Sequence, residues 1–429
     1  MTLVLVVLFG LMLLGIPVAF AILSAGMAYL ATTGGSMLVV AQRLIYGLNS
    51  FTLLAVPLFI LVGNLMDFGG ISKRLTDWAK SILGWLPGGL GIVTVFSCAI
   101  FAALTGSGPA TVAAIGSIML PSMLKAGYSK DTSAGLVASA GALGPIIPPS
   151  IPMIIYGVTM NLSIPAMFMA GVIPGLVIAL ALSLVNVVFA YRNPEVLKHA
   201  KTMKFDFKES MKLFWKALGA LGLPILILGG IYGGIFTPTE SAAVGIVYAL
   251  ILGFALKELK VKDLPKILIN SLKTSTMVNF IIAAASLFSW VVSKSQIGTV
   301  ISNAFINFVG GSQALYLFVL VVVLLIVGCL MDNVAATLIL APILIPVGIA
   351  LGCNELHIGM LFCICLVVGF VTPPFGYNLF TAVSISGLNF KQIVKGSLPF
   401  LLTEILLLFV FAYVPGIITW LPRLMGYGY

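Results

Sequence analysis

Two short polar stretches interrupt long apolar runs and carry the residues best suited to chemistry. The first is Thr105-Gly-Ser-Gly-Pro109 and the second is Asp332-Asn333. Each is followed by a break rich in glycine and proline, at 144–150 and at 369–375. An interrupted helix frees carbonyl oxygens that can bind Na⁺, and its N-terminal ends carry partial positive charge that suits a carboxylate. The pattern indicates binding of Na⁺ and a carboxylate where the broken elements meet.

The candidate ligands come from these four stretches. The first Na⁺ site would use Ala103, Ser107, Gly108, Gly144, Ile147 and Ser150. The second would use Gly328, Asp332, Asn333, Gly369, Thr372 and Phe375. Substrate contacts are expected from Ser107, Pro149, Tyr156, Asn333, Asn378 and Thr381, although Tyr156, Asn378 and Thr381 could equally pack against neighbouring polar groups.

Asp332 is the strongest single candidate for a functional residue. An acidic side chain at membrane depth is costly and is usually functional. Asp332 could also cap the helix that follows it, and the two roles are compatible.

The composition places these residues in a membrane protein. The chain has 429 residues, of which 61% are hydrophobic and 8% are charged, whereas a soluble domain carries about 25% charged residues. About ten runs approach the roughly 20 apolar residues that a helical crossing needs. The fold class expected is therefore an all-α polytopic membrane protein.

Glycine and proline positions recur along the chain and indicate an internal duplication. Pro121, Gly144, Pro148, Pro149 and Pro174 have counterparts 225 residues later at Pro346, Gly369, Pro373, Pro374 and Pro399. Helices normally exclude these residues, so five matches at one offset are hard to obtain by chance.

The expected organisation is two repeats. The first, 1–191, has scaffold helices in 2–66, with a polar segment around Arg43, then an interfacial helix or basic loop at 71–83, a re-entrant hairpin at 90–124 and a broken helix at 132–160. A basic cytoplasmic linker covers 192–217. The second repeat, 218–429, has scaffold helices in 218–293, a candidate interfacial helix at 297–308, a hairpin at 314–350, a broken helix at 358–382 and a last helix at 398–420.

Basic residues predict the orientation. All but Arg43, Lys294 and Arg423 of the 22 Lys and Arg fall in loops that can share one side of the membrane, and such loops face the cytoplasm. This arrangement requires both hairpins to be re-entrant, places both chain ends in the periplasm and inverts the two repeats, as in many secondary transporters.

Polar groups outside the breaks have simpler explanations. Glu240 follows Thr237-Pro238 and resembles a helix cap. Glu404 lies in the last crossing, where it should have a partner, and His357 and His199 fall at loop edges and should be solvated.

Four motifs carry a family resemblance. They are Gly106-Ser-Gly-Pro-Ala-Thr-Val-Ala-Ala-Ile-Gly-Ser117, Gly144-Pro-Ile-Ile-Pro-Pro-Ser-Ile-Pro152, Phe236-Thr-Pro-Thr-Glu-Ser-Ala242 and Gly369-Phe-Val-Thr-Pro-Pro-Phe-Gly376. Together they resemble the large membrane subunit of TRAP (tripartite ATP-independent periplasmic) transporters, over essentially the whole chain.

The resemblance implies an elevator-type importer in the bacterial inner membrane. Its substrate would be a carboxylate such as sialic acid or a C4-dicarboxylate, its coupling ion Na⁺, and its partners a periplasmic substrate-binding protein and a small four-helix membrane subunit on a separate chain. The alternatives are a standalone Na⁺/carboxylate symporter, a channel and a membrane enzyme. Paired breaks argue against a channel, and two histidines with unclustered cysteines do not supply an enzyme site, so no enzymatic activity is expected.

Overall fold

The chain folds into α-helices over almost its whole length. The computed structural model describes the backbone of residues 2–428 and the side chains of that range except at positions 2, 5, 13 and 297–301. Eight helices in this range are long and apolar enough to cross a membrane, or nine if the bent pair Lys130–Ile146 and Ile151–Met160 forms one span. The expectation of an all-α polytopic membrane protein is confirmed.

Helices of the first half begin at residues suited to a helix start. Ser129, Ser150 and Ser163 each precede a helix and accept a hydrogen bond from the backbone N–H three residues later, which satisfies an otherwise unpaired amide. The helices are α1 (Thr2–Leu13), α2 (Val18–Thr33), α3 (Leu38–Leu48), α4 (Ala55–Phe68), α5 (Ile71–Leu83), α6 (Gly89–Thr105), α7 (Gly108–Lys125), α8 (Lys130–Ala140), α9 (Leu143–Ile146), α10 (Ile151–Met160) and α11 (Ile164–Tyr191).

The second half follows the same rules. Thr237 and Glu240 form a complete capping box at the start of one helix, which confirms the interpretation of Glu240 as a cap. The helices are α12 (Pro194–Thr202), α13 (Phe207–Tyr232), α14 (Pro238–Ala255), α15 (Leu264–Lys294), α16 (Ile297–Phe308), α17 (Gln313–Leu330), α18 (Asn333–Ala350), α19 (Glu355–Gly369), α20 (Tyr377–Ser386), α21 (Phe390–Tyr413) and α22 (Gly416–Leu424). The side chains of 297–301 are outside the described part, and further along α16 the Phe305 ring contacts Tyr316 of α17 with ring centres 5.8 Å apart.

The region expected as a linker, 192–217, is largely helical. It contains α12 and the first turns of α13, which begins well before residue 218. The Asp206 carboxylate accepts hydrogen bonds from the N–H groups of Lys208 and Glu209 and so starts α13 there. Charged residues end an apolar run in the sequence, but lysine and glutamate are good helix formers and do not end a helix.

One segment is defined more closely, and one expectation about a helix end is corrected. The polar segment around Arg43 forms the exposed helix α3, in which the guanidinium lies 5.6 Å from the ring centre of Trp290 on α15. The last crossing, expected at 398–420, is divided between α21 and α22. Pro415 follows α21 and has no N–H with which to continue a helical ladder.

The helix α5 joins the first hairpin to the second half of the chain. Ile71, Leu75 and Ala79 lie on one face of the helix and are buried. The Trp78 ring contacts Phe96 of α6 and Phe214 of α13, with ring centres 6.1 and 5.6 Å apart. Alternation of apolar and charged residues thus reflects a helix with one packed face.

Two polar residues of the second half differ from expectation, His357 in its burial and Glu404 in having no partner among the described residues. His357 is not solvated: its ring is buried and Nε2 is 2.8 Å from the carbonyl oxygen of Phe411. Glu404 is fully buried, and neither of its carboxylate oxygens has a hydrogen-bond partner among the described residues. The helices that surround α19 and α21 cover both positions, which a hydrophobicity profile of single segments does not reveal.

Glycines let α8 pack against α21 with the two backbones in contact. A Cβ added at Gly135 would overlap the carbonyl group of Gly396, and one added at Gly396 would overlap the carbonyl oxygen of Asp131. Small residues at such contacts are a common means of packing helices in membranes. The first broken helix is thereby fixed to the last long helix of the chain.

We expect Gly135→Ala to destabilise the protein by about 1–3 kcal/mol, the usual cost of overpacking a close contact. The measurement is thermal unfolding of the detergent-solubilised protein, followed by intrinsic fluorescence. Gly229→Ala is the matched control, because a Cβ at this helical glycine meets nothing within 4 Å. Equal melting temperatures for the two variants would show that the α8–α21 contact is looser than described.

Candidate functional site

A cavity of about 360 Å³ lies where the broken elements of both halves meet. The tips of the α6–α7 and α17–α18 hairpins contribute Ser107, Gly108, Asp332 and Asn333 to its wall. Pro145 and Phe370, one from each break, contribute to the same side. The opposite wall is formed by α4 and α15. The fold thus brings the tip residues of both predicted sites to one cavity.

The first hairpin tip is held against the first break. Gly106 ends α6 in the left-handed region with φ +59°, and a Cβ there would lie 2.9 Å from the carbonyl oxygen of Pro149. A Cβ at Gly144 would lie 2.6 Å from the carbonyl oxygen of Ser107. The hydroxyl of Thr111 donates to that same Ser107 carbonyl at 2.8 Å. Tip and break therefore touch through backbone, which only glycine permits.

One serine forms hydrogen bonds with backbone groups on both sides of the first break. The helices on its two sides are bent by 40°, and the Pro148-Pro149 peptide bond is cis. The Ser150 hydroxyl donates to the carbonyl oxygen of Pro145 at 2.5 Å and accepts from the N–H of Met153 at 3.4 Å. Groups released by the interruption are thus satisfied locally, as an apolar environment requires.

The second hairpin tip carries unsatisfied polar groups. The Asp332 carboxylate caps α18 by accepting from the N–H of Val334 at 2.8 Å, so the expected capping role is present. Asn333 is 1% exposed, and neither its Nδ2 nor its Oδ1 has a partner among the described residues. The Thr337 hydroxyl, one turn further along, is also buried without one. Such groups are costly to bury unless a ligand satisfies them.

The second break packs closely on the second hairpin. A Cβ at Gly369 would lie 2.5 Å from the backbone of Gly328, and the N–H of Gly376 donates to the carbonyl oxygen of Cys329 at 3.5 Å. The Thr372 hydroxyl donates to the Val368 carbonyl at 3.1 Å. As at the first break, the proline pair, here Pro373-Pro374, has a cis peptide bond.

The remaining candidates lie behind or beside the cavity. Ala103, Ile147, Pro149 and Ser150 are buried or half-buried in the first hairpin and break, Gly328 and Gly369 face each other, and Thr372 and Phe375 lie in the second break. None of these residues lines the cavity wall.

The three flanking polar candidates have identifiable neighbours of their own. Tyr156 is buried with its ring 5.6 Å from that of Phe362. Asn378 is buried between the halves, and its Nδ2 donates to the carbonyl oxygen of Ala138 at 3.1 Å. Thr381 donates to the Tyr377 carbonyl in its own helix. None of the three lines the cavity, although the Tyr156 hydroxyl and the Asn378 Oδ1 are buried without a hydrogen-bond partner among the described residues.

Polar residues of the opposite wall were not among the candidates. Asn64 and Asp67 of α4 and Thr274 of α15 line the cavity, and the Asn64 amide donates to Ser271 of α15 at 2.8 Å. Asn64 and Asp67 lie three residues apart, on one face of an otherwise apolar helix. Two polar residues at this spacing, near the end of a crossing, are the sequence pattern that could have identified this wall of the cavity.

The chain is similar over nearly its whole length to proteins of one transporter family. The family described as "Tripartite ATP-independent periplasmic transporter, DctM component" matches residues 5–417. The isethionate TRAP transporter permease protein DctMQ of Oleidesulfovibrio alaskensis is 39% identical over 95% of this chain, which spans 64% of that relative's length. The C4-dicarboxylate TRAP transporter large permease protein DctM of Pseudomonas aeruginosa is 38% identical, covering 94% of both chains. The sialic acid subunit SiaM of Vibrio cholerae is 34% identical, covering 98% of both.

A solved structure shares the fold. The YdaH transporter of Alcanivorax borkumensis superposes with a TM-score of 0.62 over 94% of this chain and 90% of its own, at 14% sequence identity. The family match over nearly the whole sequence confirms the resemblance carried by the four motifs. This chain belongs to the DctM family, the large permease component of tripartite ATP-independent periplasmic transporters.

Proposed function

We propose that the chain imports an organic acid across the bacterial inner membrane together with Na⁺. One observation carries this proposal: the buried, unpartnered amide of Asn333 lies beside the Asp332 carboxylate on a cavity that both hairpin tips line. Relatives named for isethionate, C4-dicarboxylates and sialic acid support an organic acid as the substrate. The chain is then a carrier and not an enzyme.

Oxygen atoms at the second tip and break suit Na⁺. Asp332 offers a carboxylate oxygen, Asn333 and Thr337 offer side-chain oxygens, and the break adds carbonyl groups near Gly369. Hard cations such as Na⁺ prefer oxygen ligands of this kind, and transporters commonly take them from broken helices. The first tip and break would form the matching site with Ser107 and Gly144.

The substrate carboxylate would bind between the two tips. The helices α7 and α18 both begin at the cavity, with Ser107 and Asp332 at their N-cap positions. Each helix N-terminus carries about half a positive charge and offers unpaired N–H groups. Na⁺ at the second site would offset the charge of Asp332, so that a second anion could bind nearby.

Transport would follow from movement of the hairpins and broken helices as one body. In this elevator mechanism, α4 and α15 belong to a fixed scaffold and the opposite wall of the cavity slides past them. Substrate and Na⁺ would cross together, because each stabilises the arrangement of tips and breaks that binds the other. The positive-inside rule implies that the two duplicated halves have opposite orientations in the membrane. Each half would then supply one hairpin as a gate, at one end of the substrate path.

Two partners are proposed from the family. A periplasmic binding protein would deliver the substrate, and a small four-helix membrane subunit would complete the scaffold. Both ends of this chain would face the periplasm. The alternative is a Na⁺/carboxylate symporter that needs no binding protein, and family membership favours the tripartite system.

The role of Asp332 is tested by removing its charge while keeping its cap. We expect Asp332→Asn to reduce Na⁺-dependent uptake at least tenfold in proteoliposomes containing the partner chains, and Thr372→Ala to reduce it severalfold. Asp206→Asn is the matched control. Asp206 also caps a helix, by accepting a 2.8 Å hydrogen bond from the N–H two residues later, but it is exposed and does not line the cavity. Wild-type uptake by both Asp332→Asn and Thr372→Ala would rule out the second Na⁺ site.

Dependence on partners is tested with the wild-type chain. Uptake of labelled organic acids is measured in proteoliposomes that hold this chain and its small subunit, with and without the binding protein and an inward Na⁺ gradient. We expect uptake only when both are present. Uptake without the binding protein would instead establish the standalone symporter.

A further inference from the structure

The polar lining of the cavity is acidic or neutral. Its charged side chains are Asp67 and Asp332, and no lysine, arginine or histidine lines it among the described residues. Neutral hydrogen-bonding groups come from both walls, with Asn64 and Thr274 on one side and Ser107 and Asn333 on the other. An anion would therefore enter a cavity without a basic side chain.

Asp67 is not neutralised by a neighbour. Its carboxylate has no hydrogen bond or ion pair among the described residues, and its side chain is exposed to the cavity. Lys266 of α15 lies nearby in the fold, but its ammonium group sits over the Phe68 ring at 5.7 Å and does not line the cavity. The scaffold wall thus presents a free carboxylate to whatever binds.

The proposed charge balance leaves room for one substrate carboxylate. Na⁺ at the second site would offset Asp332, and Na⁺ at the first site together with the helix N-termini would offset one carboxylate of the substrate. A second carboxylate would have to point across the cavity towards Asp67. Like charges in a confined, partly desolvated site repel more strongly than in water.

Hydroxyl groups fit the same wall well. A carboxylate accepts several hydrogen bonds, and those from hydroxyl donors are strong because the acceptor is charged. Asn64 and Thr274 extend this surface with an amide and a hydroxyl. A site built to bind hydroxyl groups rejects analogues that lack them, since its polar groups are then left unpaired.

We infer that the cavity selects a hydroxylated monocarboxylate over a dicarboxylate, and that Asp67 is the residue that disfavours the second carboxylate. This inference rests on the proposed function, because it assumes that the cavity binds an organic acid with Na⁺. It narrows the substrate class to acids with one carboxylate at one end and hydroxyl groups along the rest of the molecule.

The test uses matched pairs of acids that differ only by replacement of a terminal hydroxymethyl group with a carboxylate. These are gluconate with glucarate, and glycerate with tartronate. Binding is measured by calorimetry and thermal shift on the purified complex of this chain with its small subunit in nanodiscs, in Na⁺ and in K⁺. Omitting the binding protein removes its own selectivity from the result.

We expect the monocarboxylate of at least one pair to bind in Na⁺ at least tenfold more tightly than its dicarboxylate. Asp67→Asn, which keeps the size of the side chain, should reduce that ratio to about threefold or less. Asp77→Asn is the control, because Asp77 lies on α5 outside the cavity lining, and it should leave the ratio unchanged.

Three results would overturn the inference. Equal or tighter binding of the dicarboxylates by the wild-type complex, or a ratio that survives Asp67→Asn, would contradict the role of Asp67 while leaving Na⁺-dependent acid binding intact. Failure of all four acids to bind in Na⁺ would overturn the inference, which expects at least one of these monocarboxylates to bind. Binding that is equally tight in Na⁺ and in K⁺ would instead contradict the proposed function. The pattern of Na⁺ dependence therefore separates the two failures.

Discussion

The structure depends on how a chain inside a membrane satisfies the backbone groups that an interrupted helix releases. No water is available in the hydrocarbon region, so each freed N–H and C=O needs a partner within the protein or a ligand. At the first break the Ser150 hydroxyl supplies two of these bonds. At the second, the N–H of Gly376 reaches the end of α17. The first break thus uses its own residues as partners, whereas the second also uses the hairpin that packs against it.

Glycine makes that arrangement possible. Gly144 lies against the carbonyl of Ser107, and Gly369 lies against the backbone of Gly328. In both halves a side chain larger than hydrogen would separate the tip from the break and widen the site by the size of a methyl group. The same device fixes α8 to α21 at Gly135, away from the residues that line the cavity.

The cavity has two chemically different walls that face each other. The hairpin side contains the half-buried Asp332 and the Asn333 amide, which is buried without a partner among the described residues. The α4 and α15 side contains Asp67, which is exposed. Burial without a partner favours a ligand bound closely in a fixed geometry. An exposed carboxylate acts by charge and by accepting hydrogen bonds, which is the basis for the selectivity role that we infer for Asp67.

The sequence alone determined the membrane class, the hairpins, the breaks and the family, because helix breakers within apolar runs are local signals. It also located the tip residues Ser107, Asp332 and Asn333. Only the tertiary structure placed Tyr156 and Asn378 outside the cavity lining, extended α13 back to Phe207, and set Asn64 and Asp67 across from the tips. These facts depend on contacts between segments distant in the chain, and periodicity within one segment carries no information about them.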